Sequence, residues 1–243
     1  MKKAIIIDDE PLARSIVKAY LNNYEDIEVV AECNNGFEGV KSIEEHQPDL
    51  LFLDIQMPKI NGFEMLELLD RDVSVIFTTA FDEYAINAFE ASAVDYLLKP
   101  FTQERFDKSI TKWKKSNSSG NTESIRELIN QQPSDNRRIV VKENGNIQII
   151  PTEDILFIEA YDDYVKVHTK EKYYLKKKTM NYYENSLLKT TFFRIHRSYI
   201  LNINKLTKIE SFEKNSYRAT LTNGTVIPIS RTSYSELKQL LGL

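Results

Sequence analysis

The sequence predicts two folds in series. The first is an α/β half, doubly wound around a parallel five-stranded sheet; the second is a mostly-β half with short helices. Three observations carry this. Over residues 1–112 short apolar runs alternate with amphipathic helical stretches, the pattern of successive βα units. From Arg138 the spacing changes to short runs rich in β-branched and aromatic residues, broken by turn signals. Between the two lies Ser-Asn-Ser-Ser-Gly-Asn at 116–121, a polar stretch with no apolar side chain to bury. A chain of 243 residues with 42% hydrophobic and 11% aromatic content is ample for two packed cores. The expected divisions are 1–115, a linker at 116–137, and 138–243.

In the first half, strands are expected at 4–7, 27–31, 50–53, 73–78 and 95–98. Helices are expected at 11–22, 36–46, 63–69, 82–91 and 103–115. Pro11 fits the first turn of a helix, where its missing N–H is not needed. Residues 56–62 form a loop with two turn signals. In the second half, Asn144-Gly145 and Asn223-Gly224 are hairpin signals. Strands are expected at 139–141, 147–150, 155–160, 164–169, 172–175, 199–201, 206–212, 217–221 and 226–229. Only 179–188 and 232–241 read as helices, with a further short one at 122–129 in the connection. A helix-turn-helix reader of DNA is not supported by this pattern.

Charged and hydroxyl residues follow the strands of the first half. Asp8-Asp9-Glu10 follows the first strand, Asp54 the third, Thr79 the fourth and Lys99-Pro100 the fifth. In a parallel sheet the strand C-termini share one edge, and ligands bind in the crevice there. Three carboxylates, a hydroxyl and an ammonium therefore converge, a set suited to a divalent metal plus a phosphoryl group. Clustered carboxylates repel unless a cation joins them, and Mg²⁺ takes oxygen ligands while retaining waters. Alone, Asp8-Asp9-Glu10 would read as a solvated acidic helix start; Asp54, Thr79 and Lys99 on neighbouring strand ends argue against that.

This ordered set resembles the receiver domain of two-component response regulators, over about residues 1 to 115. The resemblance implies that Asp54 is the phospho-acceptor, loaded by a sensor histidine kinase. It implies Mg²⁺ held by Asp8, Asp9, Asp54 and the backbone carbonyl of Gln56. It makes Thr79 the switch hydroxyl, Tyr96 the switch aromatic and Lys99 the lysine of a Lys-Pro-Phe motif. Phosphorylation would turn Thr79 and let Tyr96 rotate inward. The face of the 82–91 helix, fifth strand and last helix would then change, with homodimerisation as the readout.

The second half resembles the LytTR-type DNA-binding domain. The match rests on Phe157-Ile158-Glu159-Ala160, Asp163-Tyr164-Val165-Lys166-Val167-His168-Thr169, Phe193-Arg194-Ile195-His196-Arg197-Ser198-Tyr199-Ile200-Leu201-Asn202 and Ile227-Pro228-Ile229-Ser230-Arg231. It implies binding to paired promoter sites on double-stranded DNA and control of transcription. Contacts are expected from Asp163 and Lys166 at the first loop, from Arg197 and Asn202, and from Arg231 at the start of the last helix. Arg pairs bidentately with guanine and Asn with adenine. Asp162 and Asp163 depart from this logic, since acids repel phosphates unless one accepts from cytosine. Arg194 and Arg197 are equally readable as structural salt-bridge partners.

Charge supports the division of labour: −11 net over 1–112 against +6 over 138–243, an acidic half joined to one suited to a polyanion. The run Lys176-Lys177-Lys178 either meets DNA or forms a solvated face. His168 and His196 read as packed, hydrogen-bonded histidines, and no Cys/His cluster exists to hold zinc. The single cysteine, Cys33, reads as a small buried hydrophobe in a reducing cytosol. No apolar run reaches the ~18 residues of a membrane span, and Met1-Lys2-Lys3 leads into a strand. The expected location is cytoplasmic. Two competing classes remain: an interaction module whose β domain binds protein or RNA, and a phosphoester enzyme acting through Asp54. The second is weak, because the strand ends supply no further nucleophile and acid pair.

Overall fold

The computed structural model describes residues 1–80, 93–116, 137–212 and 216–242. Its contacts divide the chain into Met1–Gln132 and Pro133–Leu243. The helices expected at 82–91 and 122–129, and nearly all of the expected linker, lie outside the described residues.

The first unit runs β1 (Lys2–Ile7), α1 (Pro11–Leu21), β2 (Ile27–Cys33), α2 (Gly36–His46), β3 (Leu50–Leu53), α3 (Gly62–Leu66), β4 (Ser74–Thr79), β5 (Asp95–Leu98) and α4 (Gln103–Ser116). Its sheet is parallel throughout, in the order β2-β1-β3-β4-β5. The order reverses between β1 and β3, which opens a crevice above their C-terminal ends. Both faces are covered, so β3 and the last four residues of β1 are buried without alternation. On one face Val17 and Leu21 of α1 and Phe106, Ile110 and Trp113 of α4 pack on Ile6, Phe52 and Ile76. Phe106 stacks on Phe52 with ring centroids 5.3 Å apart. Helix α3 is shorter than the expected 63–69. Beyond Leu66 the N–H groups of Leu68 and Leu69 bond three residues back, tightening the chain out of the α-helix.

The second unit runs β6 (Arg138–Glu143), β7 (Asn146–Pro151), β8 (Phe157–Tyr161), β9 (Tyr164–His168), β10 (Tyr173–Lys176), α5 (Met180–Ser186), β11 (Phe192–His196), β12 (Tyr199–Asn202), β13 (Leu206–Ser211), β14 (Tyr217–Leu221), β15 (Val226–Ile229) and α6 (Arg231–Leu240). These form a β6-β7 hairpin, a five-stranded sheet ordered β10-β9-β8-β12-β11, and a three-stranded sheet β13-β14-β15. All pairings are antiparallel. Asn144 and Gly145 both take positive φ, 51° and 77°, as the expected hairpin turn demands. The five-stranded sheet separates two cores. Ile158, Val165, Val167 and Ile200 face the hairpin and α5; Phe157, Ile195 and Leu201 face the three-stranded sheet and α6. Strand β8 starts at Phe157, not 155, because the N–H of Ile155 closes a 3₁₀ turn onto Thr152. Strand β11 was not among the expected strands. Its apolar positions are interrupted by Arg194 and His196, and its turn to β12, Arg197-Ser198, contains neither Gly nor Asn.

No helix among the described residues is long and apolar enough to cross a membrane.

Candidate functional site

Backbone pairing sets the first site. The N–H of Asp54 donates to the carbonyl of Ile7 (2.9 Å) and that of Asp8 to Cys33 (3.1 Å), so both aspartates stand on adjacent strand ends. Their carboxylate oxygens and that of Asp9 all lie within 4.8 Å of one another. Asp8 is 1% exposed and Asp54 5%. Lys99, whose N–H donates to the Thr79 carbonyl at 2.7 Å, follows β5 and precedes a cis proline bond. Its Nζ lies 2.7 Å from Asp8, 3.2 Å from Glu10 and 3.3 Å from Asp54. Gly62 keeps α3 close, since a Cβ there would fall 2.4 Å from the Asp54 carbonyl oxygen. A capping box between Asn61 and Glu64 starts that helix.

Burial pushes the Asp54 carboxyl up to about 6; Lys99 pulls it down and the Asp8 charge pushes it further up. Asp8 is likewise raised by burial, against the hydrogen bond from Lys99. Burial works to lower Lys99, but its hydrogen bond to Asp8 and the charges of Asp54 and Asp8 outweigh that and hold it above its ordinary value. One ammonium thus serves two buried acids and an exposed one. Next to it on β4, Thr79 is 0% exposed and its hydroxyl has no hydrogen-bond partner among the described residues. An all-oxygen donor set short of positive charge, beside a buried unpartnered hydroxyl, fits Mg²⁺ and a phosphoryl group.

Tyr96 is also buried. Its carbonyl accepts from Arg105 Nη2 at 2.7 Å, and Arg105 pairs with the buried Asp95. The side chain of Gln56 is exposed, while its N–H donates to Asp54 Oδ1 at 3.3 Å. Sequence reasoning missed Arg14, whose Nη1 donates to the Asp8 carbonyl at 2.6 Å. The available signal was a basic residue one turn into the helix that Pro11 opens. It also missed Glu10 as a partner of Lys99. Cys33 is buried, as expected, with Sγ 3.3 Å from Ser42 Oγ.

In the second unit Asp163 is exposed in the two-residue turn between β8 and β9, after Asp162 in the left-handed region (φ 49°). Lys166 Nζ stands over the rings of Tyr161 (3.9 Å) and Tyr173 (5.1 Å). Arg197 is exposed in the β11–β12 turn, and Arg231 is exposed at the first residue of α6. Asn202 requires correction as a base reader. It is 1% exposed; its amide donates to the Ile155 carbonyl at 2.8 Å and the Thr152 carbonyl at 3.4 Å, and its oxygen accepts from the Asn204 N–H at 3.1 Å. Its polar atoms are committed to holding the β12 end and two short turns. The lysine run is split too. Lys176 is buried and donates to the Val140 carbonyl at 2.8 Å, Lys177 is exposed, and Lys178 lies over Tyr182. Arg194 is a salt-bridge partner, paired with Glu184. His168 stacks on Phe157 and bonds Glu159 at 2.8 Å, and His196 accepts from the Ser198 N–H, so both are packed and bonded.

Residues 4–111 match the response regulator receiver domain and residues 145–242 the LytTr DNA-binding domain. The chain is 34% identical to the sensory transduction protein LytT of Bacillus cereus, over 99% of each chain. It is 37% identical to the transcriptional regulatory protein BtsR of Escherichia coli K12, over 100% of each. The chain belongs to the response regulators that join a receiver to a LytTr domain. A solved LytTr domain from Bacillus cereus aligns with 44% of this chain and 98% of its own, at 26% identity and TM-score 0.42. The receiver of mrkE from Klebsiella pneumoniae aligns with 49% and 99%, at 29% identity and TM-score 0.44. Full-length likeness to transcriptional regulators points this response regulator to a non-enzymatic role.

Proposed function

We propose that Asp54 of this response regulator accepts a phosphoryl group from the histidine of a sensor kinase. The phosphorylated chain then dimerises and binds paired promoter sites on double-stranded DNA in the cytoplasm. The observation that carries this is the packing of the Asp8, Asp9 and Asp54 oxygens within 4.8 Å of one another beside Lys99. Asp8, Asp9, Asp54 and the Gln56 carbonyl would hold Mg²⁺, which when bound offsets negative charge on the incoming group. An Asp54 oxygen attacks phosphorus as the bond to the kinase imidazole nitrogen breaks, so the carboxylate must be ionised. Lifted only to about 6, it is mostly ionised at neutral pH. Lys99 then faces the phosphoryl oxygens, and Thr79 donates to one of them, gaining the partner its hydroxyl lacks. Tyr96, on the neighbouring strand, follows Thr79, and the β5–α4 face becomes the homodimer surface.

Arg197, Arg231, Lys166 and the Asp163 turn are the proposed DNA contacts. Lys and Arg supply phosphate affinity with its salt dependence, and an Arg supplies base readout.

The test is binding to a randomised duplex pool by wild type and Asp54→Ala, each with and without Mg²⁺ and acetyl phosphate. A paired motif that tightens with the phosphodonor in wild type alone is expected. A motif indifferent to the phosphodonor would contradict the switch. No enriched motif under any condition would contradict the DNA reading and favour a protein or RNA partner.

A further inference from the structure

We propose that Arg194 is a positioning residue for DNA recognition, strapping the Arg197-Ser198 turn to helix α5 and so aiming the Arg197 side chain. The inference rests on the reading of Arg197 as a DNA contact. One nitrogen of the Arg194 guanidinium, Nη1, bonds Asn181 Oδ1 (2.6 Å) and Glu184 Oε2 (2.5 Å), both on α5. The other, Nη2, donates to the carbonyl of Arg197 at 3.1 Å. Two further bonds hold the same turn. The Ala160 N–H donates to the Ser198 carbonyl at 2.9 Å, and the Ser198 N–H donates to His196 Nδ1 at 3.2 Å. The register slips between Arg194 and His196, and such bulges re-aim side chains.

The consequence is a division between two arginines three residues apart. Arg194 is only 25% exposed and its fork is engaged within the protein. Arg197 is exposed, and among the described residues no hydrogen bond or ion pair engages its side chain. A two-residue turn without Gly or Asn has no intrinsic reason to hold one conformation, and an arginine reading a base edge must be held in one. Side chains that order the turn before binding remove that ordering cost from the complex. Only a planar fork can bridge α5 and the turn carbonyl at once; a lysine at 194 keeps the charge and loses the bridge.

The test uses the full chain with Mg²⁺ and acetyl phosphate. Its probes are a duplex carrying the motif that wild type enriches from the randomised pool, and a scrambled duplex of equal length. Arg194→Lys, Arg194→Ala, Arg197→Ala and the Arg194→Ala/Arg197→Ala double variant are compared over a salt series, with thermal melts to verify folding. Arg194→Lys should lose about ten-fold of the motif-over-scrambled ratio with its salt slope unchanged. Arg194→Ala should cost the ratio nothing further once Arg197 is already alanine, because a positioning residue acts through its client. Independent, additive losses, or a normal ratio in Arg194→Lys, would overturn the proposal. If Arg197→Ala itself leaves the ratio intact, or no motif is enriched, the underlying DNA reading fails and the inference falls with it. Should Arg194→Ala not fold, Glu184→Gln must show a smaller loss in the same direction; a normal ratio there would also overturn it.

Discussion

Both units bury polar side chains, and the strand-end site of the first contrasts with two buried residues of the second. In the second unit Asn202 and Lys176 are almost sealed from solvent, yet each is matched to backbone partners: the Ile155 carbonyl and Asn204 N–H for one, the Val140 carbonyl for the other. In the receiver, Asp8 and Asp54 are raised above their ordinary values by burial, and the Thr79 hydroxyl has no partner among the described residues. A buried polar group that is satisfied locks structure in place. One that is left short is expensive, and persists where a ligand completes it. That criterion favours the proposed ligand site at the strand ends of the first unit, and it favours exposed turns as the proposed DNA contacts of the second.

Three variants sharpen or break this contrast. The largest effect is expected for Asp54→Asn without Mg²⁺. The folded-state value of about 6 exceeds the ordinary 3.8, so between these the folded protein binds more protons than the unfolded chain. Stability is therefore lost as pH rises through that window, by about 3 kcal/mol, and stays lost above it. Asp54→Asn should recover up to that amount at pH 8 and nothing well below pH 4; equal denaturant midpoints at pH 8 would count against a strained acid. Next, Asn202→Ala should destabilise by about 2 kcal/mol, since it leaves a buried carbonyl and N–H unmatched. Its motif-over-scrambled DNA ratio should stay normal. Lost discrimination with an unchanged melt would restore Asn202 as a base reader. Smallest in stability is Thr79→Val, expected within about 1 kcal/mol of wild type because no bond is lost. Its phosphodonor-driven gain in DNA binding should nevertheless fall, and an undiminished gain would remove Thr79 from the switch.

The receiver site was legible because its chemistry interrupts buried runs: an acid or lysine directly after Ile7, Leu53 or Leu98 has few structural explanations. The sheet order then brings those ends together without further information. The second unit was legible as strands and Asn-Gly turns, less so as function. An asparagine amide matches adenine and a pair of backbone groups equally well, so only the burial of Asn202 separates the two. Lys176 belongs to a lysine run readable either as a DNA contact or as a solvated face, but strand parity puts it inward while Leu175 faces out. Strand β11 was hidden because Arg194 and His196 occupy it in the service of the following turn.

The most direct test of the account is the Mg²⁺ dependence of thermal unfolding at pH 8, wild type against Asp54→Asn. The acids of Asp8, Asp9 and Asp54 predict a saturable rise in the wild-type Tm that closes the gap to the variant, with the variant nearly unresponsive. A wild-type Tm indifferent to Mg²⁺, or an equal rise in both proteins, would contradict the assignment of this cluster as the metal and phosphoryl site.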